Sequence, residues 1–304
     1  MIDARMTPRP LRRSTLLVPS HREELLHKAS LLEPDVLLLD LQDSVPLNDA
    51  AKAAARENCV ETIRLRRHRA LEVSVRINGP REPWVLADVR MAVMAGAGSL
   101  TLPQARGLRD VLFVEGLIEV LSREVGVPGP GILLEVETPA VLCELEVIAS
   151  HSRRVNGLCV APYDYALETE AQVTIFGREG SASGDVHLSW LRPKAVAVAR
   201  AHGWTASDAV AVADPRDAVQ VLDAVMASRR LGFDGSAVMH PSHLGMVNKC
   251  FCPSDEELSW ALEAVAGATA MRQQLKLASH LLAVHEQIRK SEARRRAAVA
   301  TPST

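Results

Sequence analysis

Two acidic residues each follow a short apolar run. Glu137 lies in Leu133-Leu134-Glu135-Val136-Glu137-Thr138, and Asp164 in Leu158-Cys159-Val160-Ala161-Pro162-Tyr163-Asp164. Runs of this kind read as buried parallel strands, and a carboxylate just past such a strand lies on the face where α/β barrels build their active sites. Carboxylates from two successive strands, converging there, suit a hard divalent cation with positions open to substrate. Glu135 is two residues before Glu137, so both can face a barrel interior, where they repel unless a cation or an arginine stands between them. Arg76 closes Val73-Ser74-Val75-Arg76-Ile77 and can grip a substrate carboxylate in bidentate fashion, or else pair with a nearby acid. In Leu39-Asp40-Leu41-Gln42-Asp43-Ser44, alternation points Asp40 and Gln42 to one face. A buried Asp40 needs a partner, and Arg76 on the adjacent strand supplies one. His240, before Pro241, either touches substrate or caps a helix. His21 and Arg22 open a helix, either meeting an anion or facing solvent.

The elements that must position these groups alternate along the chain. Strands are expected at Ser14–Pro19, Asp35–Leu41, Glu72–Ile77, Ser99–Pro103, Gly131–Glu137, Gly157–Pro162, Trp204–Ala206 and Ser236–His240, with amphipathic helices between them. Eight such repeats in 304 residues predict an α/β fold, a (β/α)8 TIM barrel with additional C-terminal helices. A doubly wound sheet normally carries a glycine-rich turn after its first strand; here that strand ends in Val18-Pro19-Ser20-His21. Residues 1–13 read as a flexible arm and 14–253 as the catalytic barrel. Residues 254–304 read as a helical extension, opened by the N-cap Ser254 and expected to pack on a neighbouring subunit. The polar, glycine-containing run Tyr165–Asp185 reads as a long loop of the kind that forms lids.

Composition narrows the function. Aromatics are only 3% of residues, too few for base-stacking platforms, and a net charge of −2 gives no field for polyanions, so no nucleic-acid partner is expected. No apolar stretch reaches the length of a membrane span, and no secretory signal opens the chain, so a cytoplasmic protein is expected. The five scattered cysteines read as reduced thiols, mostly buried, and Cys250-Phe251-Cys252 lacks the spacing of a zinc site.

In combination these segments resemble the citrate lyase beta subunit-like branch of the HpcH/HpaI aldolase superfamily. The resemblance rests on Ser14-Thr15-Leu16-Leu17-Val18-Pro19, Leu39-Asp40-Leu41-Gln42-Asp43-Ser44-Val45, Val75-Arg76-Ile77-Asn78-Gly79 and Val136-Glu137-Thr138-Pro139. It continues through Gly232-Phe233-Asp234-Gly235, Met239-His240-Pro241-Ser242 and Phe251-Cys252-Pro253-Ser254, all in order. It implies Mg2+ (or Mn2+) held by Glu137 and Asp164, with Arg76 on the substrate's carboxylate or oxo group. It also implies homo-trimers or homo-hexamers whose C-terminal helices cross to a neighbour. The implied reaction is carbon–carbon cleavage or condensation of a 3-hydroxyacyl-CoA such as citryl-, malyl- or citramalyl-CoA, with coenzyme A part of the substrate. Asp43 and Asp40 are the candidate catalytic acids beside Arg76, and Gln42, Pro162 and His240 are expected near substrate. The chain departs from the family pattern at Gln42, where an acid is usual, at Gln104 and Ser236, where lysines are common, and at Ala161, where glycine is usual. Ala161-Pro162-Tyr163-Asp164 is closer to the branch that cleaves free 2-keto-4-hydroxy acids, which keeps that reaction open, as it does a metal-dependent thioesterase.

Overall fold

A computed structural model describes residues 9–64, 69–171, 188–209, 214, 216–238, 240–267 and 270–300. Its strands are β1 Ser14–Pro19, β2 Val36–Asp40, β3 Glu72–Arg76, β4 Ser99–Leu102, β5 Gly131–Val136, β6 Val155–Val160, β7 Thr205–Asp208 and β8 Gly235–Val238. They form a closed, all-parallel barrel in sequence order, and β8 returns to pair with β1 through Ser14↔Ser236 and Thr15↔Ala237. Helices α1 Glu23–Ser30, α2 Asp49–Arg64, α3 Val85–Ala95, α4 Leu108–Val125 and α5 Pro139–His151 follow the first five strands. Then come α6 Pro162–Glu168, α7 Leu191–His202, α8 Ala218–Leu231, α9 Leu244–Cys250, α10 Asp255–Ala266 and α11 Arg272–Ala300. Strands covered on both faces read as continuous apolar runs; all five residues of β2, Val-Leu-Leu-Leu-Asp, are buried.

All eight strands lie where expected, with ends that shift by up to two residues, and two of the differences have a clear physical cause. The seventh strand covers Thr205–Asp208 and not Trp204–Ala206, because its outer residues are polar and its pairing with β6 extends to Val160↔Asp208. The expected long loop from Tyr165 begins as helix: Pro162 at N1 presets the first turn of α6, which runs to Glu168. The rest of that expected loop, from 172 to 185, lies outside the described residues. Cys59 is buried as expected, but Cys143 faces solvent on α5, and the cysteines are free thiols.

The arm expected to be flexible is anchored over its last residues. Arg12 and Arg13 are buried. Arg12 reaches across the base of the barrel, donating to Glu72 at 2.8 and 3.0 Å, to Asn156 at 3.0 Å and to Thr205 at 2.8 Å. Arg13 forks onto Asp35 through Nε at 2.8 Å and Nη2 at 3.0 Å. Gly235 permits this approach, since a Cβ there would lie 2.6 Å from the Arg13 carbonyl oxygen.

The extension begins with the expected cap. Ser254 and Glu257 form a capping box, and α10 ends at Gly267. The long helix α11 folds back beneath its own barrel: Gln287 donates to Arg9 O, and Arg295 donates to Pro34 O at 2.6 Å and to Asp35 at 3.2 Å. Leu262, Val265, Met271 and Leu277 on this hairpin are left exposed. No helix among the described residues is long and apolar enough to cross a membrane.

Candidate active site

Register places the charged groups. Asp40 and Arg76 are Cα partners between β2 and β3, and Glu135 and Cys159 are partners between β5 and β6. Partners in a parallel ladder share a face, and Glu137, two residues past Glu135, continues that face beyond the strand end. The carboxylates therefore converge at the C-terminal mouth of the barrel, the face where such folds place their chemistry. There a cavity of about 420 Å³ is bordered by Gln42, Asp43, Gln104, Glu137 and Asp164.

Arg76 is paired before any substrate arrives. Its Nε and Nη2 donate to the two oxygens of Asp40 at 2.7 and 2.8 Å. Nη1 is 3.8 Å from Glu135 and Nη2 is 3.7 Å from Asp43. Asp40 is fully buried and also accepts from Gln42 N, Ser44 N and the Ser44 hydroxyl. Burial works against its charge, but the bonds and charge of Arg76 outweigh that and lower its pKa. With both oxygens committed, Asp40 orients Arg76 and has no lone pair directed at substrate. Asp43 is different: its side chain is 64% exposed. Partial desolvation raises its pKa, partly offset by Arg76.

Glu135 and Glu137 are both buried. Desolvation pushes Glu135 up to about 7 against the pull of Arg76, and pushes Glu137 up to about 8 with Glu135 adding to it. One oxygen of Glu137 accepts the backbone N–H of Gln104. Oε2 of Glu135 and Oε1 of Gln42 are buried without a hydrogen-bond partner. Asp164 stands in the first turn of α6 and is exposed, with its pKa raised by desolvation and then by Asp43.

A raised carboxyl binds protons better folded than unfolded, so it opposes folding as pH rises. For Glu137 the window runs from its ordinary value of 4.5 up to about 8. The metal-free protein is therefore expected to lose melting temperature from pH 5 to pH 8, the reverse of a protein stabilised by ionised carboxylates. Calorimetric melts across that range check it; a flat or rising profile contradicts the burial of this pair.

The structure gathers Asp43, Gln42, Glu137 and Asp164 around one cavity, with Asp40 and Arg76 behind them. It does not bring Pro162 or His240 to the cavity wall. Pro162 is buried at the start of α6. His240 caps the 3-10 turn Pro241–His243, with its Nδ1 2.6 Å from the Ser242 hydroxyl.

Lys52 was not singled out by the sequence. On α2 it reads as a solvent-facing lysine, yet it is fully buried. Its Nζ donates to Leu41 O at 2.6 Å, and to Gln42 O and Asn78 Oδ1 at 2.8 Å. The Trp84 ring, 5.1 Å away, covers it. Asn78 is held in turn by Asp88, which Arg56 pairs at 2.9 Å. This chain of contacts fixes the segments leaving β2 and β3, and so the aim of Gln42, Asp43 and Arg76.

The closed parallel barrel and its carboxylate-rich mouth define a TIM-barrel protein with its chemistry at the C-terminal face. Residues 13–241 match the family model described as HpcH/HpaI aldolase/citrate lyase, and the chain belongs to that family of carbon–carbon lyases. Among similar proteins, citrate lyase subunit beta of Escherichia coli (strain K12) is 28% identical over 274 residues, 89% of this chain and 87% of that one. An L-malyl-CoA/beta-methylmalyl-CoA lyase of Cereibacter sphaeroides (strain ATCC 17025 / ATH 2.4.3) is 29% identical over 281 residues, 87% of each chain. Protein CitE from Mycobacterium tuberculosis, solved in complex with magnesium, acetoacetate and coenzyme A, superposes with a TM-score of 0.71 at 25% identity, covering 92% of this chain and 100% of that one.

Proposed function

We propose that this protein is a Mg2+-dependent lyase that cleaves or forms a carbon–carbon bond in a 3-hydroxyacyl-CoA of the citryl-, malyl- or citramalyl-CoA kind. The observation that carries this reading is the pair of cavity-facing carboxyls, Glu137 and Asp164, both raised first by desolvation and then by a neighbouring carboxylate, Glu135 for one and Asp43 for the other. That donor set fits Mg2+, which takes one or two protein carboxylates and completes its shell with water and substrate oxygens. Relatives named as citrate lyase beta subunits and malyl-CoA lyases, and a CitE structure with magnesium and coenzyme A, support the substrate class.

In this reading Glu137 and Asp164 hold the metal, and Gln42 borders the cavity beside them. When bound, Mg2+ supplies Lewis-acid polarisation of the carbon that becomes the oxo group. Arg76, kept in place by Asp40, offsets the negative charge that grows on the departing 2-oxo acid. Asp43 is the proton carrier. It is exposed to the cavity, and partial desolvation raises its pKa from the ordinary value, the direction that makes a carboxylate a better base. It takes the 3-hydroxyl proton, the carbon–carbon bond breaks with its electron pair passing to the thioester enolate, and the same proton returns to the enolate carbon. The products are a 2-oxo acid and a shorter acyl-CoA.

Product analysis tests this. Purified protein incubated with citryl-, malyl- or citramalyl-CoA and Mg2+ is expected to release a 2-oxo acid with the thioester intact, and to stop on chelation. Release of free coenzyme A without a 2-oxo acid would assign a thioesterase instead. Cleavage of a free 2-keto-4-hydroxy acid, with no action on thioesters, would assign the other branch, which Pro162-Tyr163-Asp164 resembles. The exposed apolar residues of α10 and α11 further support assembly into trimers or hexamers, which light scattering checks.

A further inference from the structure

Gln104 has φ 53°, and among the described residues only Glu170 shares a positive φ without being glycine. For a residue with a Cβ this left-handed turn is strained and persists only where its surroundings hold it. Gln104 follows β4 at the cavity wall, and three of its groups are engaged. Its N–H donates to Glu137, its carbonyl oxygen accepts from Arg81 Nη1 at 3.5 Å, and its side chain lies along Gly79. A Cβ at Gly79 would collide with the Gln104 side-chain oxygen and lie 3.1 Å from its Cβ and 3.3 Å from its Cδ. Swinging the amide end aside relieves the clash with the oxygen and leaves the 3.1 Å approach to Cβ, which the Gln104 backbone must accommodate by shifting a few tenths of an ångström. Gly79 itself has no left-handed φ. Its lack of a side chain serves the neighbour and not its own backbone.

We propose that Gln104 is a positioning residue for Glu137. Its side chain, seated on Gly79, holds the left-handed turn that presents the backbone N–H to one Glu137 oxygen and leaves the other for the metal. The inference rests on Glu137 being a metal ligand, and it assigns the outer partner that orients this ligand, a role whose loss weakens metal binding.

A cycle of substitutions tests it, with Mg2+ alone as the probe. Gly79→Ala in the wild-type chain closes the seat and is expected to weaken the calorimetric Mg2+ Kd by about tenfold. Glycine adopts the left-handed turn without help. The same Gly79→Ala change introduced into a Gln104→Gly chain is therefore expected to cost less than about twofold. In parallel, metal-free amide hydrogen exchange of the segment from Thr101 to Arg106 should quicken in Gly79→Ala and return to the wild-type rate in the double variant. Equal loss of Mg2+ affinity in both backgrounds, or exchange unchanged by Gly79→Ala, overturns the proposal. If the wild-type chain binds no Mg2+, the metal reading falls, and the exchange comparison still decides whether Gly79 seats the turn at Gln104.

Discussion

Glu137→Gln is expected to lower kcat/KM for thioester cleavage by about 10³-fold or more, and Asp164→Asn by a similar factor. Losing several kcal/mol of Lewis-acid stabilisation corresponds to a change of that size. The Glu137 substitution has a second, independent signature. Glutamine keeps an oxygen for the Gln104 N–H and removes a carboxylate whose ionisation burial disfavours. Glu137→Gln should therefore melt at a higher temperature than the metal-free wild type at pH 8, and close to it at pH 5, where Glu137 is protonated. Added Mg2+ should raise the wild-type melting temperature at pH 8 and leave Glu137→Gln unmoved. Calorimetry with and without chelator measures all of these. Full turnover in both variants would end the metal assignment; a fall in melting temperature at pH 8 would instead point to Glu137 as a structural carboxylate.

The same burial links metal affinity to pH. At the proposed metal site, Mg2+ would have to displace the proton that burial holds on Glu137, whose pKa is pushed up to about 8. Asp43, Glu135 and Asp164 add negative charge around the cavity; Arg76, already shared with Asp40, faces Asp43 and Glu135, and Arg81 and Arg106 stand on the cavity wall.

The barrel was legible because its physics is written in single runs. A strand covered on both faces is mostly apolar, as the runs Val36–Leu39 of β2 and Ile132–Leu134 of β5 are, and a carboxylate at the end of such a run stands out against it. Glu137, directly after β5, could be picked for that reason alone, while Asp164 stands four residues past β6, in the first turn of α6. Other features depend on contacts between distant segments. Thr205-Ala206-Ser207-Asp208 is a strand because its neighbours on both sides supply the ladder, and its own residues carry little strand preference. Helix α6 was missed although Pro162 at its N1 position marks helix starts, since the preceding run appeared to continue as strand. Lys52 follows the helical pattern of α2 as any surface lysine does; only the carbonyls of Leu41 and Gln42, brought over it by the fold, reveal it as buried. The left-handed turn at Gln104 has no local signal at all, because its cause is the absent side chain of Gly79, twenty-five residues earlier in the chain. The N-terminal arginines carried a signal that composition disguised: a basic, proline-containing start resembles a loose arm, while Glu72, Asn156 and Thr205 make a socket for Arg12.

Asp40→Asn is the second change with a large expected effect, and stability is where it shows first. The pair it breaks is buried, with Asp40 at 0% and Arg76 at 14% side-chain exposure. Removing one partner strands the other, at a cost of about 3–5 kcal/mol. Urea denaturation should record that loss as a lower midpoint at an unchanged m value. Replacing both charges together, as Asp40→Asn with Arg76→Gln, should recover most of the midpoint, because no unpaired guanidinium remains. Activity should separate from stability at this point. Arg76 also faces Asp43 and Glu135 at 3.7 and 3.8 Å, so its charge acts at the mouth as well as within the pair. The double variant is expected to fold well and stay inactive. Activity that returned along with the midpoint would make Arg76 a structural partner of Asp40 and nothing more, leaving the charge on the departing 2-oxo acid to the metal alone.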